Sequence, residues 1–302
     1  MKLRFILVFM MAVAFGCSQK TNNTAMQVPE NFDWQGHRGA RGLLPENSIP
    51  AFLKALEFPI KTLELDVVIS RDSQVVVSHE PWMSASICSK PDGRPVSEEE
   101  EKVSNIFQLK YAEIQQFDCG SRGNERFPEQ SPMRVSKPLL SEAVQQVEAY
   151  CSNQSRELPF YNIEIKSRPE WDGVFTPDPQ AFARLVVEKI EVLGIKSRTC
   201  IQSFDVRALQ AVRQIDSTFV LALLVENTKG LDQNLKELGF TPAVYSPYYQ
   251  LISGNLVKET HERGMLLIPW TVNEITTMRG LINLGVDGII TDYPNLISEM
   301  KK

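Results

Sequence analysis

Short apolar runs alternate with longer amphipathic segments over most of the chain. The apolar runs predict eight strands, at 33–37, 62–69, 160–166, 199–203, 219–225, 243–246, 265–272 and 288–291. The segments between them predict helices at 48–57, 141–151, 179–193, 206–214, 231–238, 254–263 and 275–284. Strands that alternate with helical crossovers favour a parallel sheet, and eight is the number of strands that closes an α/β barrel.

One long region, residues 80–138, interrupts this alternation. It is rich in proline, glycine and charged residues, and it begins directly after a valine-rich run that ends at His79. A connection of this length in a barrel is usually a functional insertion on the catalytic face. The pattern therefore predicts an α/β barrel with an insertion that overhangs the site.

The first residues have the pattern of an export signal. Lys2 and Arg4 precede an apolar run that is too short for an ordinary membrane span. We therefore expect residues 1–17 to be a signal peptide, 18–31 to be a flexible polar tether and 32–302 to be the folded domain.

The segment 13–17 further resembles a bacterial lipobox. The resemblance implies that Cys17 is lipidated and that the protein is an exported, periplasm-facing lipoprotein of the outer membrane. Ordinary secretion as a soluble periplasmic protein is the alternative.

Composition and charge fit one large domain. The chain has 302 residues, 43% of them hydrophobic, and a net charge of −5 that gives no support for nucleic-acid binding. Of its five cysteines, four remain if Cys17 is lipidated. In an exported protein a disulfide between Cys88 and Cys119 would brace the insertion, but the sequence leaves the pairing open.

Acidic residues alternate with apolar ones in two of the predicted strands. Glu64 and Asp66 point to the same face of one strand, and Glu164 and Lys166 alternate with isoleucine in another. Carboxylates on a packed interior face need a compensating cation, because an unpaired buried charge is costly. Ligands that are all oxygen atoms favour a hard cation, Mg²⁺ or Ca²⁺, over zinc.

Two of the three histidines lie where predicted strands end. These are His37 and His79, and strand ends are where barrel enzymes collect their reacting groups. Imidazole titrates near neutrality, so such a pair can take a proton from a nucleophile and give one to a leaving group. The third, His261, has the context of a surface helix and is assigned no role.

Eight short motifs, taken together and in order, resemble those of a known family, the glycerophosphodiester phosphodiesterases of the phospholipase C-like superfamily. They are HRG at 37–39, PENS at 45–48, ELD at 64–66, His79, EIK at 164–166, QSF at 202–204, WTVN at 270–273 and GVDGIITDYP at 285–294. The resemblance extends from about Asp33 to the C-terminus.

The resemblance implies a TIM (β/α)₈ barrel that holds one divalent cation, Ca²⁺ or Mg²⁺. The positions that match the family's metal ligands are Glu64, Asp66 and Glu164, and those that match its acid/base pair are His37 and His79. In one respect the chain departs from the family pattern, because it has His79-Glu80 where the family often has His-Asp.

Five further residues are candidates for substrate binding. Arg38 and Lys166 would supply positive charge to phosphate oxygens. Gln202 matches a position near the metal or substrate, and Trp270 is expected to face the barrel mouth and pack on glycerol carbons. Glu46 either binds the glycerol moiety or is an acid at a helix start.

We therefore expect metal-dependent hydrolysis of glycerophosphodiesters to glycerol 3-phosphate and an alcohol. The expected partners are the small-molecule substrate and, through a lipid anchor alone, the membrane. Three alternatives remain: a phospholipase C or sphingomyelinase D-like enzyme, a non-catalytic binding lipoprotein, and a sugar-processing barrel in which the acids act directly. Asp287 and Asp292, in the last motif, are interpreted as structural.

Overall fold

Eight parallel strands form a nearly closed barrel in the computed structural model, which describes residues 28–300. Together with one short additional strand, β3, the strands are β1 (Asp33–Gly36), β2 (Thr62–Ile69), β3 (Val75–Val77), β4 (Phe160–Ile165), β5 (Thr199–Ser203), β6 (Val220–Val225), β7 (Val244–Pro247), β8 (Leu266–Leu267) and β9 (Gly288–Thr291). The order around the barrel is β8-β7-β6-β5-β4-β2-β1-β9, and β3 pairs antiparallel with β2 outside this ring. Between β8 and β9, the backbone N–H of Asp287 donates to the carbonyl of Leu267 at 3.0 Å and continues the ring.

Most of the helices connect the strands on the outside of the barrel, whereas two lie in the insertion and the last follows β9. The helices are α1 (Ile49–Ala55), α2 (Glu98–Glu101), α3 (Tyr111–Ile114), α4 (Leu140–Asn153), α5 (Pro179–Val192), α6 (Val206–Ile215), α7 (Leu231–Leu238), α8 (Gly254–Glu262), α9 (Ile275–Leu284) and α10 (Ile297–Met300). The predicted TIM barrel is thus confirmed.

Strand β2 shows how the sequence separates the two sides of the barrel wall. All eight of its residues are buried. The positions of Leu63, Leu65 and Val67 belong to the large apolar core that the strands share with the outer helices. The alternate positions of Glu64 and Asp66 therefore point into the barrel, as the strand period requires.

The strand predicted at 265–272 is much shorter in the structure, where the regular strand covers only Leu266–Leu267. Pro269 has no N–H to donate to a ladder, so regular pairing ends before it. The chain continues irregularly along the barrel, and the carbonyl of Pro269 accepts from Ile290 N–H at 3.0 Å. This irregular stretch carries Trp270 to the mouth of the barrel.

The insertion, residues 80–138, folds as a small unit beside β2 and β3. It contains α2 and α3, and its buried side chains, among them Met83, Ile106 and Ile114, form a second apolar cluster with Val68 and Val76. A disulfide joins Cys88 to Cys119 within it.

The predicted signal peptide, the lipidation site at Cys17 and most of the predicted tether lie outside the described residues. Val28, at the end of the predicted tether, is half-buried against the barrel core. Within residues 28–300, no helix has the length and apolar character needed to cross a membrane.

Candidate active site

A cavity of about 580 Å³ opens at the end of the barrel where the carboxyl ends of the strands meet. It is lined by nine of the ten residues predicted to act in catalysis, metal binding or substrate binding, namely His37, Arg38, Glu46, Glu64, His79, Glu164, Lys166, Gln202 and Trp270. The tenth, Asp66, lies in the same cluster and is fully buried. The insertion lines the cavity too, through Ser86, Ile87, Asn124, Arg126 and Phe127.

A tight turn after β1 places His37 and Arg38 at the cavity. Gly36 and Gly39 permit it: a Cβ on Gly36 would lie 2.5 Å from the Gly39 carbonyl oxygen, and one on Gly39 would lie 2.6 Å from the backbone of Ala51. Gly39 and Arg38 both have positive φ, at 83° and 51°. This conformation aims the backbone N–H of Arg38 at Glu64, whose Oε2 accepts it at 2.8 Å.

Glu64, Asp66 and Glu164 form the centre of the site. Each offers a carboxylate oxygen, and these oxygens all lie within 4.8 Å of one another. Register explains the cluster, because Asp66 of β2 pairs with Glu164 of β4. Asp66 Oδ1 is buried and has no hydrogen-bond partner in the structure. An unpartnered buried carboxylate oxygen, within a set of oxygen donors alone, fits a hard divalent cation.

Two cationic side chains flank the three carboxylates. Lys166 Nζ donates to Glu164 Oε1 at 2.7 Å and lies 3.8 Å from Asp66 Oδ1. Arg38 Nε lies 3.2 Å from Asp66 Oδ2, and its Nη1 donates to Glu46 Oε1 at 2.6 Å. Burial lowers the pKa of Lys166, but Glu164 and Asp66 outweigh it, so the lysine stays charged.

Neutral amides fix the orientation of the acids. Asn47 Nδ2 donates to Asp66 Oδ2 at 2.8 Å, and Gln202 Nε2 donates to Glu64 Oε1 at 2.9 Å. Asn162 in turn donates to Gln202 Oε1 at 2.9 Å. The Gln202 prediction thus finds a definite contact, whereas the sequence analysis did not single out Asn47 or Asn162.

The carboxylates have unequal proton affinities. Burial, together with the charges of Asp66 and Glu164, raises the pKa of Glu64 well above its usual range. Burial raises the pKa of Glu164 to about 7. Burial would also raise the pKa of Asp66, but Arg38 and Lys166 hold it well below its usual range. Two of the three carboxylates therefore hold protons more tightly than usual, and a cation that binds them would displace those protons.

His37 is held by a buried acid from the last strand. Its Nδ1 lies 2.7 Å from Asp292 Oδ1, and its Nε2 lies 3.9 Å from Glu64 Oε2. Although burial would raise the pKa of Asp292, His37 and Arg41 hold it below its usual range, so it is ionised. An ionised carboxylate only accepts hydrogen bonds, so Nδ1 carries the proton and Nε2 presents a lone pair to the cavity.

Asp292 is itself fixed from two sides. Arg41 donates to it through Nε at 2.8 Å and through Nη2 at 3.0 Å, and Asn273 Nδ2 donates to it at 2.7 Å. The sequence analysis interpreted Asp292 as structural, and the structure adds a definite contact, because this carboxylate holds His37 at the edge of the cavity. The signal for its role was its motif at the end of the last strand, which neighbours β1 and His37 in the closed barrel. Asp287, by contrast, accepts from Leu267 N–H and His261 outside the cavity.

His79 is also paired with a carboxylate through its Nδ1, but it is more exposed to solvent than His37. Its Nδ1 lies 2.6 Å from Glu80 Oε1, and its side chain is 30% exposed, against 12% for His37. The Glu80 that departs from the family's His-Asp pattern therefore takes the place of the partner acid. Burial lowers the pKa of both histidines, and that of His37 falls to about 4.

At the start of α1, the capping residue is not Glu46. Ser48 caps this helix, with its Oγ accepting from Ala51 N–H at 3.3 Å. Glu46 instead pairs with Arg38 and lines the cavity. Trp270 faces the same cavity, and its indole N–H donates to the carbonyl of Ser246 at 2.9 Å.

Comparisons with known proteins agree with this geometry. Residues 37–296 match the model of the glycerophosphoryl diester phosphodiesterase family. The chain belongs to that family. It is 26% identical over 283 residues to a glycerophosphodiester phosphodiesterase of Bacillus subtilis (strain 168), covering 91% of this chain and 88% of that protein.

Solved structures show the same fold. A candidate glycerophosphoryl diester phosphodiesterase from Silicibacter pomeroyi DSS-3 superposes with a TM-score of 0.79 and 28% identity, over 90% of this chain and 94% of that one. A phosphodiesterase from Oleispira antarctica, solved with the product sn-glycerol-3-phosphate, has a TM-score of 0.70 and 21% identity, over 89% and 96%. The chain is thus a glycerophosphodiester phosphodiesterase by family and by fold.

Proposed function

We propose that this glycerophosphodiester phosphodiesterase cleaves its substrate with one divalent cation and two histidines. The observation that carries the proposal is the convergence of three buried carboxylates and two acid-paired histidines on one cavity. The products are glycerol 3-phosphate and an alcohol. The first of these is the product bound in the Oleispira antarctica phosphodiesterase.

Glu64, Asp66 and Glu164 would hold the cation, Ca²⁺ or Mg²⁺. When bound, it would draw charge from the phosphoryl oxygens and stabilise the crowded, more anionic transition state. The residues themselves support this assignment, since Asp66 Oδ1 has no other partner and the amides of Asn47 and Gln202 already orient the donors.

Arg38 and Lys166 bind the phosphate oxygens in this proposal. Both are buried cations at the edge of the carboxylate cluster, and both line the cavity. Arg38 is held by Glu46, which leaves the guanidinium fixed in one orientation. A fixed guanidinium and an ammonium group beside a phosphate need little reorganisation as charge develops.

The two histidines divide the proton transfers. With a pKa of about 4, His37 is neutral at pH 7, and its Nε2 accepts the proton of the attacking hydroxyl. Burial lowers the pKa of His79 too, but Glu80 and Asp66 act to raise it, and we assign His79 as the proton donor to the leaving alcohol. The attacking hydroxyl is either water or the glycerol 2-hydroxyl.

A change of leaving group tests this division. The His79→Gln variant should lose most of its activity on the choline ester of glycerol phosphate, by roughly 10²–10⁴-fold. It should lose far less on the para-nitrophenyl ester, because that phenolate leaves without a proton. The His37→Gln variant should lose activity on both esters.

The opposite pattern, in which the activity of His37→Gln is restored on the para-nitrophenyl ester, would show that His37 is the acid and His79 the base. Equal loss on both esters in both variants would contradict the assignment of one histidine as the acid.

We also propose that the protein is exported and lipidated at Cys17. The charged and apolar pattern of residues 1–17 supports this, and so does the Cys88–Cys119 disulfide, a bond that persists in oxidising compartments. Labelled palmitate should be incorporated into the protein in a bacterial host and lost in Cys17→Ser. Export without label would favour the soluble periplasmic alternative.

A further inference from the structure

Three aromatic rings line one side of the catalytic cavity. The ring of Phe204 stands perpendicular to that of Trp270, with centroids 5.3 Å apart and an interplanar angle of 89°. On the other side of Trp270, the ring of Tyr248 lies at 5.6 Å and 53°. All three side chains line the cavity, and Phe204 is 41% exposed. We call Phe204, Tyr248 and Trp270 the aromatic box.

Two of the three residues of the aromatic box are anchored by hydrogen bonds. Trp270 is anchored through its indole N–H to the carbonyl of Ser246 at 2.9 Å. The backbone N–H of Tyr248 donates to Val225, and that of Tyr249 donates to Trp270, at 2.8 and 2.9 Å. A pocket fixed before binding loses little entropy when it takes a ligand.

The box lies beside the phosphate-binding groups, in a different sector of the barrel from the insertion. Its rings come from the segments after β5, β7 and β8, strands that lie on one side of β4 in the barrel order. The insertion follows β3, which pairs with β2 on the other side of β4. Lys166 of the β4 end has its Nζ 5.9 Å from the centroid of the Phe204 ring. A group joined to the phosphate by a short linker therefore reaches the box.

From this geometry we propose that the aromatic box binds the trimethylammonium group of a choline ester, which makes glycerophosphocholine the preferred substrate. This proposal rests on the proposed function and adds the leaving alcohol to it. Ring faces attract a quaternary ammonium, which cannot donate a hydrogen bond and so gains little from polar groups. Glu274, which lines the same cavity, adds negative charge.

This assignment changes one expectation from the sequence. A single tryptophan at the barrel mouth suits the carbon atoms of glycerol, but a tryptophan flanked by two further rings suits a larger cationic group. The glycerol hydroxyls then lie toward the polar side of the cavity, where the insertion contributes Asn124 and Arg126.

The first test compares substrates of the unmodified full chain. We expect kcat/KM for the choline ester to exceed that for its neohexyl isostere, in which carbon replaces the charged nitrogen, by about tenfold. Equal or faster cleavage of the neutral isostere would overturn the proposal, because the rings would then act only as an apolar surface.

A matched pair of variants then tests the ring itself. In Tyr248→Leu, the kcat/KM ratio of the choline ester to the ethanolamine ester should fall about tenfold, whereas Tyr248→Phe, which keeps the ring, should retain the ratio. An unchanged ratio in Tyr248→Leu would overturn the proposal while leaving the hydrolase function intact.

Failure of the proposed function looks different, since none of the esters would be cleaved. In that case the binding of choline phosphate still tests the aromatic box. Choline phosphate should quench the tryptophan fluorescence of the protein and neohexyl phosphate should not, and equal quenching by both would overturn the aromatic box.

Discussion

At the residue scale, the positioning of His37 by Asp292 is the feature most open to a direct test. We predict that Asp292→Asn, which keeps the size of the side chain but not its charge, lowers kcat by roughly 10²–10⁴-fold. The reason is that an amide no longer requires the proton to sit on Nδ1, so Nε2 is not reliably free to accept one. Steady-state kinetics on the choline ester measures the effect.

Asp287→Asn is the matched control for this variant. Asp287 lies in the same motif but binds His261 and the backbone of Leu267 outside the cavity. Its substitution should leave kcat close to that of the unmodified protein. Full activity in Asp292→Asn would show that the acid is not needed to orient His37.

A second residue-scale prediction concerns pH and the cation. Burial raises the pKa of Glu164 to about 7, so below that pH a proton competes with the cation for this carboxylate. We predict that affinity for Mg²⁺ or Ca²⁺ falls about tenfold between pH 8 and pH 6, measured by calorimetry. Glu164→Gln should bind weakly and with a smaller dependence on pH, because Glu64 still binds protons, and an affinity of the unmodified protein that is independent of pH would contradict the assignment.

Sequence reasoning reached the residues that line the candidate site but missed several of the contacts that hold them in place. The alternation of Glu64 and Asp66 was visible in one strand. The pairing of Asp292 with His37 was not, because it depends on closure of the barrel between the first and last strands. Asn162 was equally hidden, since its partner Gln202 comes from the neighbouring strand.

At the element scale, the insertion depends on its disulfide. Cys88 and Cys119 are 31 residues apart, and closing such a loop removes entropy worth about 3–4 kcal/mol from the unfolded chain. We predict that a reductant lowers the urea midpoint of unfolding, and that the Cys88→Ala/Cys119→Ala variant shows no such response. A midpoint unaffected by reductant in the unmodified protein would show that the bond contributes no stability.

The same element shows why some boundaries escaped sequence reasoning. Charge and proline marked residues 80–138 as an insertion, but not its apolar cluster around Met83 and Ile106. The strand predicted at 265–272 was too long for the opposite reason. Its apolar pattern is that of a strand, yet Pro269 cannot donate to the ladder, and beyond Leu267 only irregular pairing continues, such as the bridge between Tyr248 and Trp270.

At the scale of the whole molecule, the barrel gathers its chemistry by topology. Residues in β2 and β4 and in the segments just after β1, β3, β4 and β9 supply the carboxylates, the cations and the histidines, and the segments after β5, β7 and β8 supply the rings. The alternation of apolar runs and helices was enough to predict this frame, because in a parallel barrel every strand ends at the same face. The same alternation could not predict on which side of the barrel mouth the aromatic box would lie.

The central claim is that Glu64, Asp66 and Glu164 hold a cation that glycerophosphodiester hydrolysis requires. The most direct measurement is release of glycerol 3-phosphate from glycerophosphocholine by the purified protein, before and after EDTA, followed by addition of Ca²⁺ or Mg²⁺. We predict that activity is lost with EDTA and returns with one of the two cations, and that Glu64→Gln is not restored by either. Activity that persists after prolonged chelation and dialysis would contradict the claim.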